Sequence, residues 1–298
     1  MKKMIAIALA MMLVLSVLAG CSAAGGNDTV DGKIDTVTPG KLTVALSPDF
    51  APMEFVDANA EGQAKYVGFD VELSKYIAEQ LGLELVIQPM SFDACQTAVQ
   101  LGTVDMSVSG FSWTEKRAAN YNLSDYYHAG DNEDEQTLIT LAKNAGKYKT
   151  AEDLKGLKLG AQTASLQESL TVEQLPDCEL VTVADLTTAL MQLRNGDFDV
   201  LAVAKGNGDA IMANNEDIGL AGFYFEVDEK YTGNVILMQK GADELTLMVN
   251  ELLAQAEASG CYESWYAIAK TTAGIEVSFD DEGNEIVDTT GSAEDTTE

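Results

Sequence analysis

Positive charge is scarce in this sequence: 18 lysines and arginines stand against 48 aspartates and glutamates, for a formal net charge of −30 over 298 residues. A chain so acidic has no electrostatic footing on a phosphate backbone, which excludes nucleic acid as a partner. The dispersed acidity is read as a solubility feature. Histidine is rarer still, with His128 alone, so a zinc site has almost nothing to draw on. The four cysteines form no CxxC pair and no Cys/His spacing, and no metal or cofactor is expected. The motifs of nucleophilic and nucleotide chemistry are missing too: there is no GxSxG or HExxH, and "GNGDAI" is not a GxGxxG. His128 is read as a surface or hinge residue rather than a base, and the chain is expected not to be an enzyme.

What is present begins at the N-terminus. Lys2 and Lys3 precede an apolar or small run from Met4 to Ala19 that closes in "LAGC", Leu18 to Cys21. The run falls short of the roughly 20 residues a spanning helix needs, and a basic start with a small-residue exit marks residues 1–20 as an export signal. "LAGC" resembles a bacterial lipobox, in which the cysteine is lipidated and becomes the new N-terminus. Cys21 is therefore expected to carry a lipid anchor, palmitate included, on the extracytoplasmic face of the cell membrane. Cys95, Cys178 and Cys261 remain, an odd number, so at least one is free or pairs outside the chain.

Residues 21–39 are small and polar, a flexible tether, and residues 273–298 form an acidic, core-poor tail expected to be disordered. Between them, short β-like runs alternate with helical ones. The first series is strand 41–47, helix 70–81, strand 83–89, helix 92–101 and strand 104–109. Its first helix repeats Phe69, Leu73, Tyr76, Ile77 and Leu81 at helical spacing and stops at Gly82; the second starts after Ser91, a good N-cap, and stops at Gly102. A second series follows: strand 157–162, helix 165–175, strand 179–184, a helix after Asp185 to Arg194, and strand 199–204. Two β-α-β-α-β series predict an α/β protein of two lobes. The strand-like 233–240 and a helix over 242–259 finish the body. The acidic run 131–136 between the series is read as a solvated interlobe crossing, since it lacks the glycine of an EF-hand calcium loop.

Five stretches, taken in order, carry a resemblance: "SPDFAPMEF" (47–55), "YVGFDVELSKYIAEQLG" (66–82), "SGFSWTEKRAANYNLSDYY" (109–127), "LKGLKLGAQTASLQE" (154–168) and "ASGCYESWY" (258–266). With them the chain resembles the bacterial extracellular solute-binding proteins of ABC importers, the family-3 amino-acid type, over about residues 40–270. The resemblance implies a bilobed periplasmic-binding-protein-like fold. Each lobe holds a mostly parallel sheet flanked by helices, and two crossing strands join the lobes. It places residues 40–128 with 232–272 in lobe 1 and 129–231 in lobe 2. It further implies a monomeric carrier that binds solute in the interlobe cleft, closes by a hinge motion and presents the solute to an ABC permease.

The same resemblance distributes the site. Arg117 matches the arginine that grips a ligand α-carboxylate, a role its planar fork of donors suits; the alternative is a surface salt bridge. Ser109, Gly110 and Ser112 lie where the chain leaves a strand, with amides and hydroxyls that can meet the same carboxylate. Ser165 opens a helix in the other lobe, where free N–H groups favour an anion, or serves as an N-cap alone. Phe50 and Phe92 match aromatic positions that sandwich the ligand, although aromatics are also plain core. Gln162 adds a polar contact, and Trp113 is read as packing near the cleft rim.

One departure stands out. The position where relatives carry an aspartate for the ligand α-ammonium holds Ala204, followed by Lys205. A buried ammonium without a counter-charge is unfavourable. Either Glu54, Asp49 or Asp209 takes over, or the ligand lacks a free ammonium there and Lys205 faces a second negative group. Two other classes stay open. A dehydratase on the same fold is one; the other is a ligand-presenting sensor lipoprotein, whose membrane-kinase form would continue into a span and a cytoplasmic module that this sequence does not carry.

Overall fold

The computed structural model describes residues 34–127 and 135–275. The export signal, Cys21, most of the tether, His128 and nearly all of the acidic tail lie outside the described residues. None of the described helices is long and apolar enough to cross a membrane.

In chain order the first half holds strands β1 (Lys41–Leu46), β2 (Asp49–Phe50), β3 (Glu54–Val56) and β4 (Tyr66–Val67), helix α1 (Phe69–Gln80), β5 (Glu84–Pro89), α2 (Phe92–Gln100), β6 (Met106–Ser107), α3 (Glu115–Asn120) and β7 (Tyr121–Leu123). The second half holds β8 (Gln136–Leu141), α4 (Ala151–Leu154), β9 (Lys158–Gln162), α5 (Leu166–Gln174), β10 (Glu179–Val183), α6 (Leu186–Asn195), β11 (Val200–Ala204), α7 (Lys205–Ala213) and β12 (Ile218–Tyr224). β13 (Leu237–Gln239), α8 (Asp243–Ala258) and α9 (Cys261–Thr272) complete the body.

Two five-stranded sheets form, ordered β5-β1-β6-β13-β7 and β10-β9-β11-β8-β12. In each, the β-α-β-α-β series winds three parallel strands, with β1 central to β5 and β6 and β9 central to β10 and β11. The remaining strands run antiparallel: β13 to β6 and β7, and β8 to β11 and β12. The sheets are therefore parallel on one side only. Sequence periodicity traces the wound half of each sheet, because buried parallel strands are continuous apolar runs such as "LTVAL" and "VLAVA".

β13 enters the first sheet after the whole of the second has been laid down, so the chain crosses between sheets twice. The two crossings pair with each other. Tyr127 N–H donates to Asn234 O at 2.9 Å and Asn234 N–H returns to Tyr127 O at 3.0 Å. Behind the first sheet, α8 and α9 pack on α1 around Phe69, which meets Tyr262, Trp265 and Tyr266 edge-on and stacks at 6.0 Å on Tyr127. Such aromatic pairs each add about 0.5–1.5 kcal/mol beyond the area they bury. The second sheet has its own cores, built on Leu138, Leu159, Leu170 and Val200 on one face and Ile139, Leu186, Leu193 and Phe198 on the other. A small sheet of β2, β3 and β4 sits above the C-terminal end of β1 and brings Asp49 and Phe50 to the second sheet.

Candidate functional site

β6 ends at Ser107, and the four residues 109–112 turn away from the sheet over a buried floor. Gly110 holds φ +53°, a conformation glycine takes without strain. A methyl there would lie 2.7 Å from Phe50 Cε1, so this position requires glycine for space as well. The Gly110 amide is committed to Asp70, donating to Oδ2 at 2.7 Å. The Ser109 hydroxyl accepts from Ser47 N–H at 3.0 Å and donates to Glu54 Oε1. Ser109 and Gly110 are thus built into the floor through those groups.

Arg117 follows on α3, whose N-cap Thr114 accepts from the Arg117 amide. Its guanidinium, attached to a residue only 4% exposed, donates from Nη1 to Ser112 O at 2.6 Å and from Nη2 to Ala164 O at 3.0 Å. The first bond stays beside the loop, and the second crosses to the segment after β9. The guanidinium also lies 5.5 Å from the centroid of Phe92 and 5.1 Å from that of Phe111, rings that stack on each other at 4.6 Å. Cation–π contacts of this kind hold a charge in place at about 0.5–2 kcal/mol. The guanidinium is thus buried and aromatic-faced rather than engaged in a solvent-exposed salt bridge.

The facing side comes from the second sheet. Ala164 takes φ +63°, an uncommon conformation for a side-chain-bearing residue that disfavours it by about 1–2 kcal/mol. The turn aims its carbonyl at both Arg117 and Gln96 Nε2, the latter at 3.4 Å. Ser165 caps α5, accepting from Glu168 N–H at 3.0 Å, so its hydroxyl has the capping role. Gln162 donates from Nε2 to Asp49 Oδ2 at 3.1 Å. Asp49 Oδ2 also accepts from Leu186 N–H, at the start of α6, at 2.7 Å. Asn207 Nδ2 donates to Ala51 O at 2.9 Å, and Phe50 packs against the cores of both sheets.

Phe50, Phe92, Gly110, Ser112, Arg117, Gln162 and Ser165 therefore gather where the two sheets face each other, with Ser109 in the floor beneath. Lys205 is turned to its own helix, where its Nζ binds both oxygens of Asp209 at 2.7 and 2.6 Å. Ala204 is fully buried and stands at the N-cap of α7 without a side-chain cap. Of the three acids considered as its replacement, Glu54 is bound to Ser109, Asp209 is paired with Lys205, and Asp49 sits in the interlobe junction. Burial outweighs the Leu186 and Ser47 hydrogen bonds and pushes the Asp49 carboxyl up to about 6. Trp113 packs on the core beneath α2 and lines a surface cavity with Tyr121 and Tyr126.

Asp70 was not singled out by motif reading, yet it anchors the loop that leads to Arg117. Its signal lies in the helix period. Asp70 shares the stripe of Leu73, Ile77 and Leu81, so an acid occupies the apolar face of α1.

A family model described as bacterial extracellular solute-binding proteins, family 3, matches residues 42–268. Among curated relatives, the arginine-binding extracellular protein ArtP of Bacillus subtilis is 29% identical over 74% of this chain and 82% of its own length. A probable histidine-binding protein of Campylobacter jejuni is 28% identical over 68% of this chain and 78% of its own. Among solved structures, the amino acid ABC transporter substrate-binding protein AbpA from Streptococcus pneumoniae, bound to L-arginine, aligns with a TM-score of 0.72. It is 31% identical and covers 80% of this chain and 97% of that one.

Proposed function

The chain belongs to the bacterial extracellular solute-binding proteins of family 3, and from that premise we propose that it captures a carboxylate-bearing amino acid or derivative between its lobes and hands it to an ABC permease. The observation that carries this reading is Arg117: a buried guanidinium, faced by Phe92 and Phe111, at the junction of the lobes. Solute carboxylate meets Arg117 and the Ser112 loop from lobe 1, with the aromatic wall of Phe50 and Phe92 beside it. The Ser165 end of α5 joins from lobe 2, where the helix N-terminus favours negative charge.

Closure follows from contacts made by both lobes. Interlobe bonds support it, among them Asp49 with Gln162 and with Leu186, Asn207 with Ala51, and Arg117 with Ala164. In this reading residues 40–128 with 232–272 move against 129–231 about the paired crossings at Tyr127 and Asn234. A lipid on Cys21 and the 21–39 tether keep the monomer at the extracytoplasmic face of the membrane, within reach of the permease. The protein binds without turning its solute over, in keeping with relatives named as binding proteins.

Mass spectrometry of solute released on denaturing the purified protein tests the reading. A small carboxylate-bearing solute is expected; a bound molecule without a carboxylate would sink it. Calorimetry with free amino acids against dicarboxylates then decides the other end. Saturable micromolar binding of a simple α-amino acid would rule out the version in which no ammonium is recognised opposite Ala204.

A further inference from the structure

The nine-residue helix α7 starts without a side-chain cap, because its N-cap is Ala204. Its third residue is Asn207. From that place a short polar side chain can reach back toward the N-cap, as Asp153 does to Thr150 at the start of α4. Asn207 and Ala204 therefore share one end of α7, the end that faces lobe 1.

Asn207 is only 1% exposed, and its carboxamide crosses the junction. Nδ2 donates to Ala51 O at 2.9 Å. Only an N–H can donate to a carbonyl, so this bond fixes which arm of the amide is which. The other arm, Oδ1, is buried and accepts no hydrogen bond from the described residues. A buried amide oxygen without a donor destabilises a fold, and native proteins keep few of them. Donors on the same wall are committed elsewhere: Lys205 Nζ to both oxygens of Asp209, and Gln162 Nε2 to Asp49. The surroundings of Asn207 are those of the solute reading. Ala51 follows Phe50, whose ring fills the space over Gly110, and two residues on Ser112 O holds Arg117.

The charge at this end does not suit an ammonium. Ala204 is fully buried and carries none, and the start of α7 is the positive end of a helix. Lys205 is a cation already matched by Asp209. Asp49, the acid of the junction, is held by Ser47 at Oδ1 and by Gln162 and Leu186 at Oδ2. A full positive charge brought here would lose its water without gaining an uncommitted anion. A neutral N–H or O–H needs an acceptor alone, and Asn207 Oδ1 is one.

We propose that Asn207 is a specificity-determining residue: its Oδ1 accepts a hydrogen bond from the group on the solute's α-carbon and so selects carboxylates that carry a neutral donor there. α-Hydroxy acids are the smallest members of that class. The proposal rests on the solute reading above, in which Arg117 takes the carboxylate. The Nδ2 bond to Ala51 acts separately, tying the lobes whatever the solute.

The test is calorimetry on the purified full chain with two trios of probes, one built on L-arginine and one on L-glutamate. Each trio holds the amino acid, its α-hydroxy analogue and the analogue with hydrogen in that place. In the wild type the hydroxy analogue should bind at least as tightly as the amino acid and about tenfold more tightly than the hydrogen analogue. Asn207→Leu should bring the hydroxy-to-hydrogen ratio to about one. Any loss that comes from the missing Ala51 bond is common to the trio and cancels in that ratio. Ala204→Asp, which adds a cap and a charge at the same end of α7, should turn the preference toward the amino acid by about tenfold or more; it keeps the proposal testable if a melting scan finds Asn207→Leu unfolded.

A wild type that prefers the amino acid over the hydroxy analogue by about 100-fold would overturn the proposal. So would a hydroxy-to-hydrogen ratio unchanged in Asn207→Leu, the result expected if a buried water alone meets Oδ1. A ratio that depends on Asn207, with binding that survives Arg117→Ala at full strength, counts against the carboxylate grip alone. Failure of the wild type to bind any probe counts against both.

Discussion

Arg117 and Gly110 make opposite demands on substitution. In the proposed reading Arg117 supplies a charge-assisted fork to the solute, so Arg117→Ala should weaken carboxylate binding by about 100-fold or more. The fold should survive, because the shortened side chain leaves the Phe92–Phe111 stack in place; circular dichroism and a melting scan check this. At Gly110 the backbone is already left-handed and the Phe50 ring fills the space a methyl needs. Gly110→Ala should therefore lower stability by about 1–3 kcal/mol and loosen solute binding with it, read by denaturant melts and calorimetry. The arginine was legible in the sequence as one of two in a very acidic chain, set in "SGFSWTEKR". The carboxyls beneath it were not. Glu54 invited reading as a solute-facing acid, and Asp70 drew no attention although its place on the apolar stripe of α1 could have marked it.

At the scale of elements, caps and periodicity carried most of the information. Ser165 and Asp185 were legible at helix starts, and both side chains accept from the amide three residues on, Glu168 and Thr188. Ser91 stands at its expected N-cap, but its hydroxyl turns to Asp93 instead of capping. Ser165→Ala should reduce stability by about 1 kcal/mol through the lost cap and reduce solute affinity as well. A stability loss with affinity intact would assign Ser165 to capping alone. The strands that escaped sequence reading are all antiparallel, although antiparallel β13 falls within the strand-like run 233–240. β8 follows an acidic run that reads as a loop, β12 is interrupted by glycines, and β2 and β4 are two residues long. Their pairing is decided by which lobe they fall against, and no local pattern encodes that. α7 was missed for a related reason: "KGNGDAIMA" has two glycines and no side-chain cap, so only its packing holds it helical.

At the scale of the molecule, the junction of the lobes is where acid and burial meet. Asp49 and Asp70 both hold protons more tightly in the folded protein than in an unfolded chain, with values raised to about 6 and about 7. Between the ordinary aspartate value and these, the folded state binds more protons, so stability falls as pH rises through that window. The melting temperature should therefore be higher at about pH 5 than at about pH 8, the reverse of an acid-labile protein. Asp49→Asn should flatten the lower part of that slope. Because Asp49 also ties lobe 1 to Gln162 and Leu186 of lobe 2, Asp49→Ala should favour the open form, seen as a larger radius of gyration in solution scattering with solute present.

The grip on a carboxylate between two lobes is tested most directly by calorimetric titration of purified wild-type protein and Arg117→Ala with the same panel of L-α-amino acids and dicarboxylates. Saturable binding of at least one carboxylate-bearing solute to the wild type, lost or weakened about 100-fold in Arg117→Ala, is the predicted result. Binding of equal strength in a folded Arg117→Ala, or no carboxylate bound by the wild type, would contradict it.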